Sequence, residues 1–149
     1  MKKLHGKDEG ISMIRLNRPK AANSLGRTLM SQLNDILSLL KNQDPSKVRC
    51  VVIASDTPRV FCAGADLRER AALSDEKALA CVDNLRNTFE DVANLPMPVI
   101  AAIEGAAFGG GLELALAADI RVASKSSMLG LVETSGTCVT LTLSFIILF

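Results

Sequence analysis

Histidine, tyrosine and tryptophan are nearly absent from this chain of 149 residues. It has one histidine, His5, and neither tyrosine nor tryptophan. A lone histidine at the start of the chain disfavours a Ser-His catalytic pair and a zinc site. The cysteines, Cys50, Cys62, Cys81 and Cys138, have no CxxC spacing and are too sparse for a disulfide framework. We therefore predict reduced cysteines that act as small apolar side chains.

Net charge is also nearly absent. The 17 basic and 16 acidic residues give a formal charge of +1, so no broad positive field attracts nucleic acid or an anionic membrane. No apolar run reaches the roughly 20 residues of a membrane span. The start, MKKLHGKDEG, shows no signal or transit peptide pattern. The 48% of hydrophobic residues predicts one globular domain.

Strand and helix patterns alternate along the chain. ISMIRL, from Ile11 to Leu16, predicts a strand, and the turn residues NRPKAANS follow it. Apolar residues at helical spacing from Leu25 to Leu40 predict an amphipathic helix, and Val48 to Ala54 predicts a buried strand. Further strands are predicted from Pro96 to Ile103 and near Val122. This order predicts a layered α/β fold.

The middle of the chain contains a loop and two helices. The segment SDTPRVFCAGADLRER predicts a loop through Gly64 and then a short helix capped by Asp66. Ser74 is predicted to begin a longer helix. Its apolar stripe consists of Leu79, Val82, Leu85, Phe89 and Val92.

Two glutamates stand where a solvated acid is not expected. Glu113 lies in GGGLELALAAD and Glu133 in MLGLVET. Burial among apolar side chains penalises the charged carboxylate, which suits proton transfer at neutral pH. The glycines at 109 to 111 begin a helix whose first amides lack intrahelical partners, and the loop through Ala63 and Gly64 lets a ligand approach the backbone. Together the two segments predict donors for an oxyanion, although each alone is better explained by a tight turn or close packing.

Three segments in this order resemble one family: FCAGADLRER, AAIEGAAFGGGLELALAADIRVAS and MLGLVE. They resemble the enoyl-CoA hydratase/isomerase family, also called the crotonase superfamily, and NRPKAANSL resembles its opening turn. The resemblance extends from Ile11 to Thr134. CAGADLRERAALS and GLVET are most similar to methylglutaconyl-CoA hydratases and enoyl-CoA hydratase domain-containing proteins. The resemblance implies an α/β fold of the ClpP/crotonase type, a spiral of repeated ββα units. In this chain the fold would be truncated after the second catalytic acid.

The resemblance also implies a site for acyl-CoA thioesters. The amides of Ala63 and Gly110 would form the oxyanion hole for the thioester carbonyl. Glu113 would orient and help activate water, and Glu133 would supply the proton at the α carbon, so the implied reaction is hydration of an α,β double bond, a lyase reaction. No metal is implied, and no cofactor other than the CoA of the substrate. The implied substrate-binding residues are Lys20, Ala21, Gly64, Ala65, Asp66 and Leu67.

Four charged residues have simpler explanations than chemistry. Asp66 is better explained as a helix cap, Asp119 as a polar residue at the end of a helix, and Glu104 as a surface or supporting residue. For Lys20, a solvated turn lysine is as good an explanation as a phosphate partner.

The sequence departs from the family after Thr134. There the family continues with a glycine- and proline-rich segment and with helices that complete the pocket and form the trimer interface, whereas this chain continues with SGTCVTLTLSFIILF. We therefore divide the chain into the N-terminal part of a hydratase domain, residues 1–134, and a divergent apolar tail, residues 135–149. We predict weak or absent turnover, and an aggregation-prone tail in preference to a strand.

Compartment and pathway follow only from the resemblance. It implies a mitochondrial protein of fatty acid metabolism or branched-chain amino acid degradation. A cytoplasmic location stays open because no targeting peptide is visible.

Two alternatives to catalysis stay open. One is a noncatalytic or nonfunctional form that at most associates with full-length relatives, which form trimers or hexamers. The other is binding of AU-rich RNA, which some relatives perform through a lysine-lined helix. The helix from Leu25 to Lys41 has only Arg27 and Lys41 as cations and also carries Asp35, so the sequence disfavours RNA binding.

Overall fold

The structure, a computed structural model, describes residues 2–3, 9–44, 46–131 and 146–148. The strands within these residues are β1 (Lys2–Lys3), β2 (Ile11–Leu16), β3 (Cys50–Ser55), β4 (Val60–Cys62), β5 (Val99–Ile103), β6 (Ala106–Phe108), β7 (Ile120–Ala123), β8 (Met128–Gly130) and β9 (Ile146–Leu148). The helices are α1 (Arg27–Lys41), α2 (Leu67–Ala71), α3 (Asp75–Ala93) and α4 (Gly110–Leu116), with a 3₁₀ turn at Pro19–Ala21.

The strands form two sheets. One has the order β1-β2-β3-β5-β7-β9, and within it only β1 is antiparallel to its neighbour. The other has the order β4-β6-β8 and is parallel throughout. The pairs β3 and β4, β5 and β6, and β7 and β8 therefore each send one strand to each sheet. Because helices follow the first two pairs, the chain repeats a ββα unit.

The hydrophobic core joins α1 to the sheets. Alternate residues of β5 are buried, namely Val99, Ala101 and Ile103, as the two-residue period of a strand requires. On α1 the buried residues recur every three or four positions and cover one face: Leu29, Met30, Leu33, Leu37 and Leu40. The sequence predicted this amphipathic helix from the same spacing, and the structure confirms it.

Several sequence-based predictions need correction. The sheet β4-β6-β8 was not predicted, because its strands are only three residues long and so show too little of the two-residue period of a strand. Leu79 was placed on the apolar stripe of α3, yet it is 69% exposed. The buried residues of α3 are Thr88 and Val92, in its last third, so the first turns of this helix extend beyond the core.

Part of the predicted tail forms a strand. Ile146–Leu148 pairs in parallel with β7, so at these residues the strand alternative replaces the unpaired tail. The rest of residues 135–149 lies outside the described residues, and the division at residue 134 stays a prediction. Within the described part of the chain, no helix has the length and apolar character to cross a membrane. Cys50, Cys62 and Cys81 are free thiols, and Cys138 lies outside the described residues.

Candidate active site

The loop after β4 lies against the beginning of α4. Gly64 has a φ of +89°, and a methyl group on its Cα would lie 2.8 Å from the carbonyl oxygen of Phe108 and 3.4 Å from the amide nitrogen of Gly110. Any other residue at 64 would be strained in its backbone and would collide with that carbonyl. Gly64 therefore permits the close approach of two backbone segments that the sequence predicted as partners.

Three groups border a small space beside Gly110. A methyl group on the Cα of Gly110 would lie 3.1 Å from Leu25 Cδ1, 3.6 Å from Glu113 Oε2 and 3.9 Å from the amide nitrogen of Ala65. Among the described residues, no hydrogen bond occupies the amide of Ala65 or that of Gly110. The space therefore has an apolar wall, a carboxylate and two backbone amides at its border.

The amide of Ala63 has a hydrogen-bond acceptor within the protein. It donates a hydrogen bond to the carbonyl oxygen of Ala22 at 3.0 Å. This bond ties the loop to the turn after β2 and occupies the donor that was assigned to the oxyanion hole. FCAGAD has one alanine on each side of Gly64, Ala63 and Ala65, and the sequence does not tell which of the two amides the turn uses for its own hydrogen bond.

Of the two glutamates, Glu113 lies among the described residues and Glu133 does not. Glu113 lies in the first turn of α4, beside the space described above, but its side chain is exposed. The expectation that apolar neighbours bury it is therefore wrong, because Leu112, Leu114 and Ala115 point into the core while Glu113 points outward. Glu133 lies outside the described residues.

The turn after β2 carries the next group of predicted residues. Lys20 is exposed and Ala21 is half-buried, both within the 3₁₀ turn. The following Ala22 and Asn23 have φ values of 48° and 54°, a left-handed conformation that asparagine tolerates well. The exposure of Lys20 is compatible with either of its two explanations.

Asn23 is a structural residue that the sequence analysis missed. It is fully buried, and its side-chain amide donates to Ser55 Oγ at 2.8 Å and to the carbonyl of Phe61 at 3.0 Å. Its oxygen accepts from the Arg18 amide at 2.7 Å and from Thr57 Oγ1 at 3.0 Å. Buried polar groups need such partners, so Asn23 holds the turn against β3 and β4. A turn asparagine flanked by small residues was the available signal.

Asp66 is confirmed as the cap of α2. Its Oδ1 accepts hydrogen bonds from the amides of Arg68 at 3.2 Å and Glu69 at 3.1 Å. Its Oδ2 forms an ion pair with Arg18 at 2.6 Å. The hydrogen bond from the Glu69 amide and the one from the Arg18 guanidinium lower the pKa of Asp66, since both stabilise the charged carboxylate. Leu67, the next residue, is 73% exposed.

The other two acids also have structural or surface positions. The Asp119 carboxylate accepts a hydrogen bond from the amide of Val99 at 2.7 Å, and its own amide donates to the carbonyl of Val99 at 3.0 Å. Asp119 thus ties the end of α4 to β5, in agreement with the simpler explanation. Glu104 is exposed. No group of three metal-ligating side chains occurs among residues that the structure describes.

An apolar groove begins next to Ala65. It has a volume of about 390 Å³ and lies between α1, α2 and α3. Its apolar lining includes Leu25, Met30, Ala65, Leu73, Val82 and Leu85. Arg27, Arg70 and Lys77 also line it. The groove therefore offers a largely apolar surface next to Ala65.

Comparisons with known proteins show which family the chain is similar to. A family model described as enoyl-CoA hydratase/isomerase matches residues 6–144. The mitochondrial methylglutaconyl-CoA hydratase of Homo sapiens is 48% identical over 131 residues, which are 88% of this chain and 38% of that protein. The mitochondrial enoyl-CoA hydratase domain-containing protein 2 of Homo sapiens is 46% identical over 132 residues, 89% of this chain and 44% of that protein.

A solved structure is similar in fold as well as in sequence. The crystal structure of the enoyl-CoA hydratase from Bacillus anthracis matches with a TM-score of 0.82 and 43% identity, over 87% of this chain and 50% of that one. This similarity confirms the predicted fold class of repeated ββα units. The chain spans about two fifths to one half of the length of these relatives.

Proposed function

Because the chain belongs to the enoyl-CoA hydratase/isomerase family, we propose that it binds an acyl-CoA thioester with the carbonyl oxygen between the amides of Ala65 and Gly110. The observation that carries this proposal is the space beside Gly110, which the Ala65 amide and Glu113 Oε2 both border. Two amide donors stabilise the negative charge that forms on a thioester oxygen when the adjoining double bond is attacked.

Ala65 takes the place of Ala63 in this proposal. The Ala63 amide already donates to Ala22, whereas the amide nitrogen of Ala65 lies 3.9 Å from where a methyl group on Gly110 would be. The groove next to Ala65 supports the same assignment, because it offers apolar cover for the acyl chain of the same ligand. Gly110 keeps the role that the sequence gave it.

The reaction we propose is hydration of an α,β-unsaturated acyl group. The oxygen of water bonds to the β carbon while Glu113 accepts one of its protons, and the electron pair of the double bond moves toward the α carbon and the carbonyl oxygen. Glu133 then donates the proton that bonds to the α carbon. The substrate-binding role of Lys20, Ala21, Gly64, Asp66 and Leu67 is part of the same proposal.

We expect this hydration to be slow in the chain described here. A general base works best where bulk water is excluded, and Glu113 is exposed. The test is the hydration of crotonyl-CoA and of methylglutaconyl-CoA, followed through the loss of the conjugated thioester absorbance. Weak turnover that disappears in Glu113→Gln and persists in Glu104→Gln supports the proposal. Turnover that Glu113→Gln leaves intact contradicts it.

Compartment and assembly are proposed on the same similarity. The two human relatives are named as mitochondrial proteins, and we propose the same compartment for this chain, to be tested by cell fractionation. Association with full-length relatives is tested by size-exclusion chromatography of the mixture. RNA binding gains no support, because Lys41 on α1 forms an ion pair with Asp91 at 2.6 Å.

A further inference from the structure

Arg18 lies outside the residues that the sequence assigned to the site, yet its guanidinium makes four side-chain hydrogen bonds. Its Nη1 donates to the carbonyl and to Oγ of Ser24, both at 3.0 Å, and to Asp66 Oδ2 at 2.6 Å. Its Nη2 donates to Glu69 Oε1 at 3.1 Å. One side chain therefore contacts the turn after β2, the loop after β4 and helix α2.

The residues that accept hydrogen bonds from Arg18 lie next to the proposed oxyanion hole. Asp66 follows Ala65 in the chain and also caps α2 through Oδ1. Glu69 Oε2 accepts a hydrogen bond from the amide of Arg27 at 2.8 Å, at the beginning of α1. Ala65 itself forms a parallel β-bridge with Leu25. The peptide group that carries the Ala65 amide therefore lies next to Leu25 on one side and Asp66 on the other. Arg18 connects the two sides, because it donates hydrogen bonds to both Ser24 and Asp66.

This ion pair differs from an ordinary surface pair. The Asp66 side chain is only 11% exposed and that of Arg18 is 31% exposed, so water screens their attraction less than at an open surface. A planar guanidinium can serve several acceptors in fixed directions, and a lysine ammonium cannot reproduce that geometry.

Gly26 provides the room for this contact. A methyl group on its Cα would lie 2.6 Å from Arg18 Nη1 and 2.7 Å from Glu69 Oε1. Both atoms are the ends of flexible side chains. An alanine at 26 would therefore displace the ion pair while leaving the backbone of the fold nearly unchanged.

We propose that Arg18 is a positioning residue, which fixes the direction of the Ala65 amide through Asp66 and so sets how strongly a bound thioester carbonyl is polarised. The inference rests on the proposed function. Its physical basis is the steep loss of hydrogen-bond strength when the donor angle departs from linearity. Arg18 does not touch the substrate in this account.

The first test uses the free protein. Amide NMR spectra of Arg18→Lys and Gly26→Ala should show the Ala65 and Asp66 cross-peaks displaced, with the core amides of β3 and β5 unmoved. Arg15→Lys is the matched control, because Arg15 pairs with Asp56 in a comparable Arg-Asp contact elsewhere on the surface. Unmoved Ala65 and Asp66 cross-peaks in both site variants overturn the proposal.

The second test uses a bound ligand. A chromophoric cinnamoyl-CoA thioester absorbs at longer wavelength when its carbonyl oxygen accepts hydrogen bonds. In Arg18→Lys and Gly26→Ala we expect the red shift at saturation to fall below about half of the unaltered value, with a smaller change in Kd. Arg15→Lys should keep the full shift. A merely structural role of Arg18 would lower stability or affinity without changing the shift of the bound fraction.

The outcomes separate the two proposals. If the unaltered chain gives no red shift, the proposed thioester site is wrong, and this role of Arg18 is wrong with it. If every variant gives the full shift at saturation, the thioester site stands and only the role of Arg18 is overturned. Restoration of the shift in Arg18→Ala by added guanidinium ion would support the role further.

Discussion

Gly111 lies so close to Cys62 that a methyl group on its Cα would be 2.2 Å from the Cys62 carbonyl oxygen. The beginning of α4 is therefore packed directly on the end of β4, with no side chain between the two backbones. This contact fixes the position of Gly110 relative to the loop that carries Ala65. The glycine is required by the close approach and not by an unusual backbone conformation.

We expect Gly111→Ala to disturb both stability and the site. The added methyl group meets backbone atoms, which cannot move aside as a side chain can, so unfolding by urea should show a loss of about 1–3 kcal/mol. Gly130→Ala is the matched control, since its methyl group would lie 3.5 Å from Phe108 Cδ1, an ordinary contact. Because the added methyl group meets no atom closer than 3.5 Å, this substitution should cost clearly less stability than Gly111→Ala. Equal effects of the two substitutions would contradict the packing described here.

Asn23→Ala should be strongly destabilising. It removes a fully buried side chain that has four hydrogen-bond partners. Each buried partner left without a hydrogen bond costs about 1–3 kcal/mol, so we expect a loss of at least about 2 kcal/mol in the free energy of unfolding. The exposed Asn87→Ala on α3 is the control and should have little effect. A mild Asn23→Ala variant would show that the turn does not depend on this side chain.

The cysteines should differ in reactivity. Burial raises the pKa of Cys62 to about 11, and burial also raises the pKa of Cys50. Because the thiolate is the reactive form, iodoacetamide near pH 8 should modify the half-buried Cys81 before Cys50 and leave Cys62 protected until the chain unfolds. Peptide mass spectrometry after timed labelling measures the order. Early modification of Cys62 in the folded protein would rule out its burial under α4.

The contribution of the Asp66 cap to the free energy of unfolding should depend on pH. The folded form holds the pKa of Asp66 below its ordinary value of 3.8, so the unfolded chain binds the proton more readily. This stabilisation is present above about pH 4 and is lost as the pH falls through the lowered value. The difference in unfolding free energy between the unaltered chain and Asp66→Asn should therefore shrink as the pH is lowered from 5 toward 2. The exposed Asp35→Asn serves as control, and an unchanged Asp66→Asn difference would contradict the ion pair.

Local sequence patterns predicted some parts of the molecule better than others. The strand from Ile11 to Leu16 and the cap at Asp66 depend on near neighbours in sequence, and both are confirmed. The exposure of Glu113 could not be read in this way, because its apolar neighbours along α4 point to the opposite side of the helix. Apolar neighbours in sequence do not imply apolar neighbours in space.

The oxyanion donors show the same limit. Gly110 and the loop after β4 were both selected from their small residues, but choosing between Ala63 and Ala65 requires knowing where the carbonyl of Ala22 lies. That carbonyl belongs to a turn some 40 residues away, as the Ala63 amide bond shows. Arg18 and Asn23 escaped notice for a related reason, since their partners lie on β3, β4 and α2.

We propose that the Ala65 amide, and not the Ala63 amide, donates a hydrogen bond to the thioester oxygen. The most direct measurement is isotope-edited infrared spectroscopy of a ¹³C-labelled thioester carbonyl bound to chains in which one backbone amide is replaced by an ester. We expect the bound carbonyl frequency to be lowered by the unaltered chain, to rise toward the free value when the ester replaces the Ala65 amide, and to stay low when it replaces the Ala63 amide. A frequency that rises when the ester replaces the Ala63 amide and stays low when it replaces the Ala65 amide would contradict this assignment.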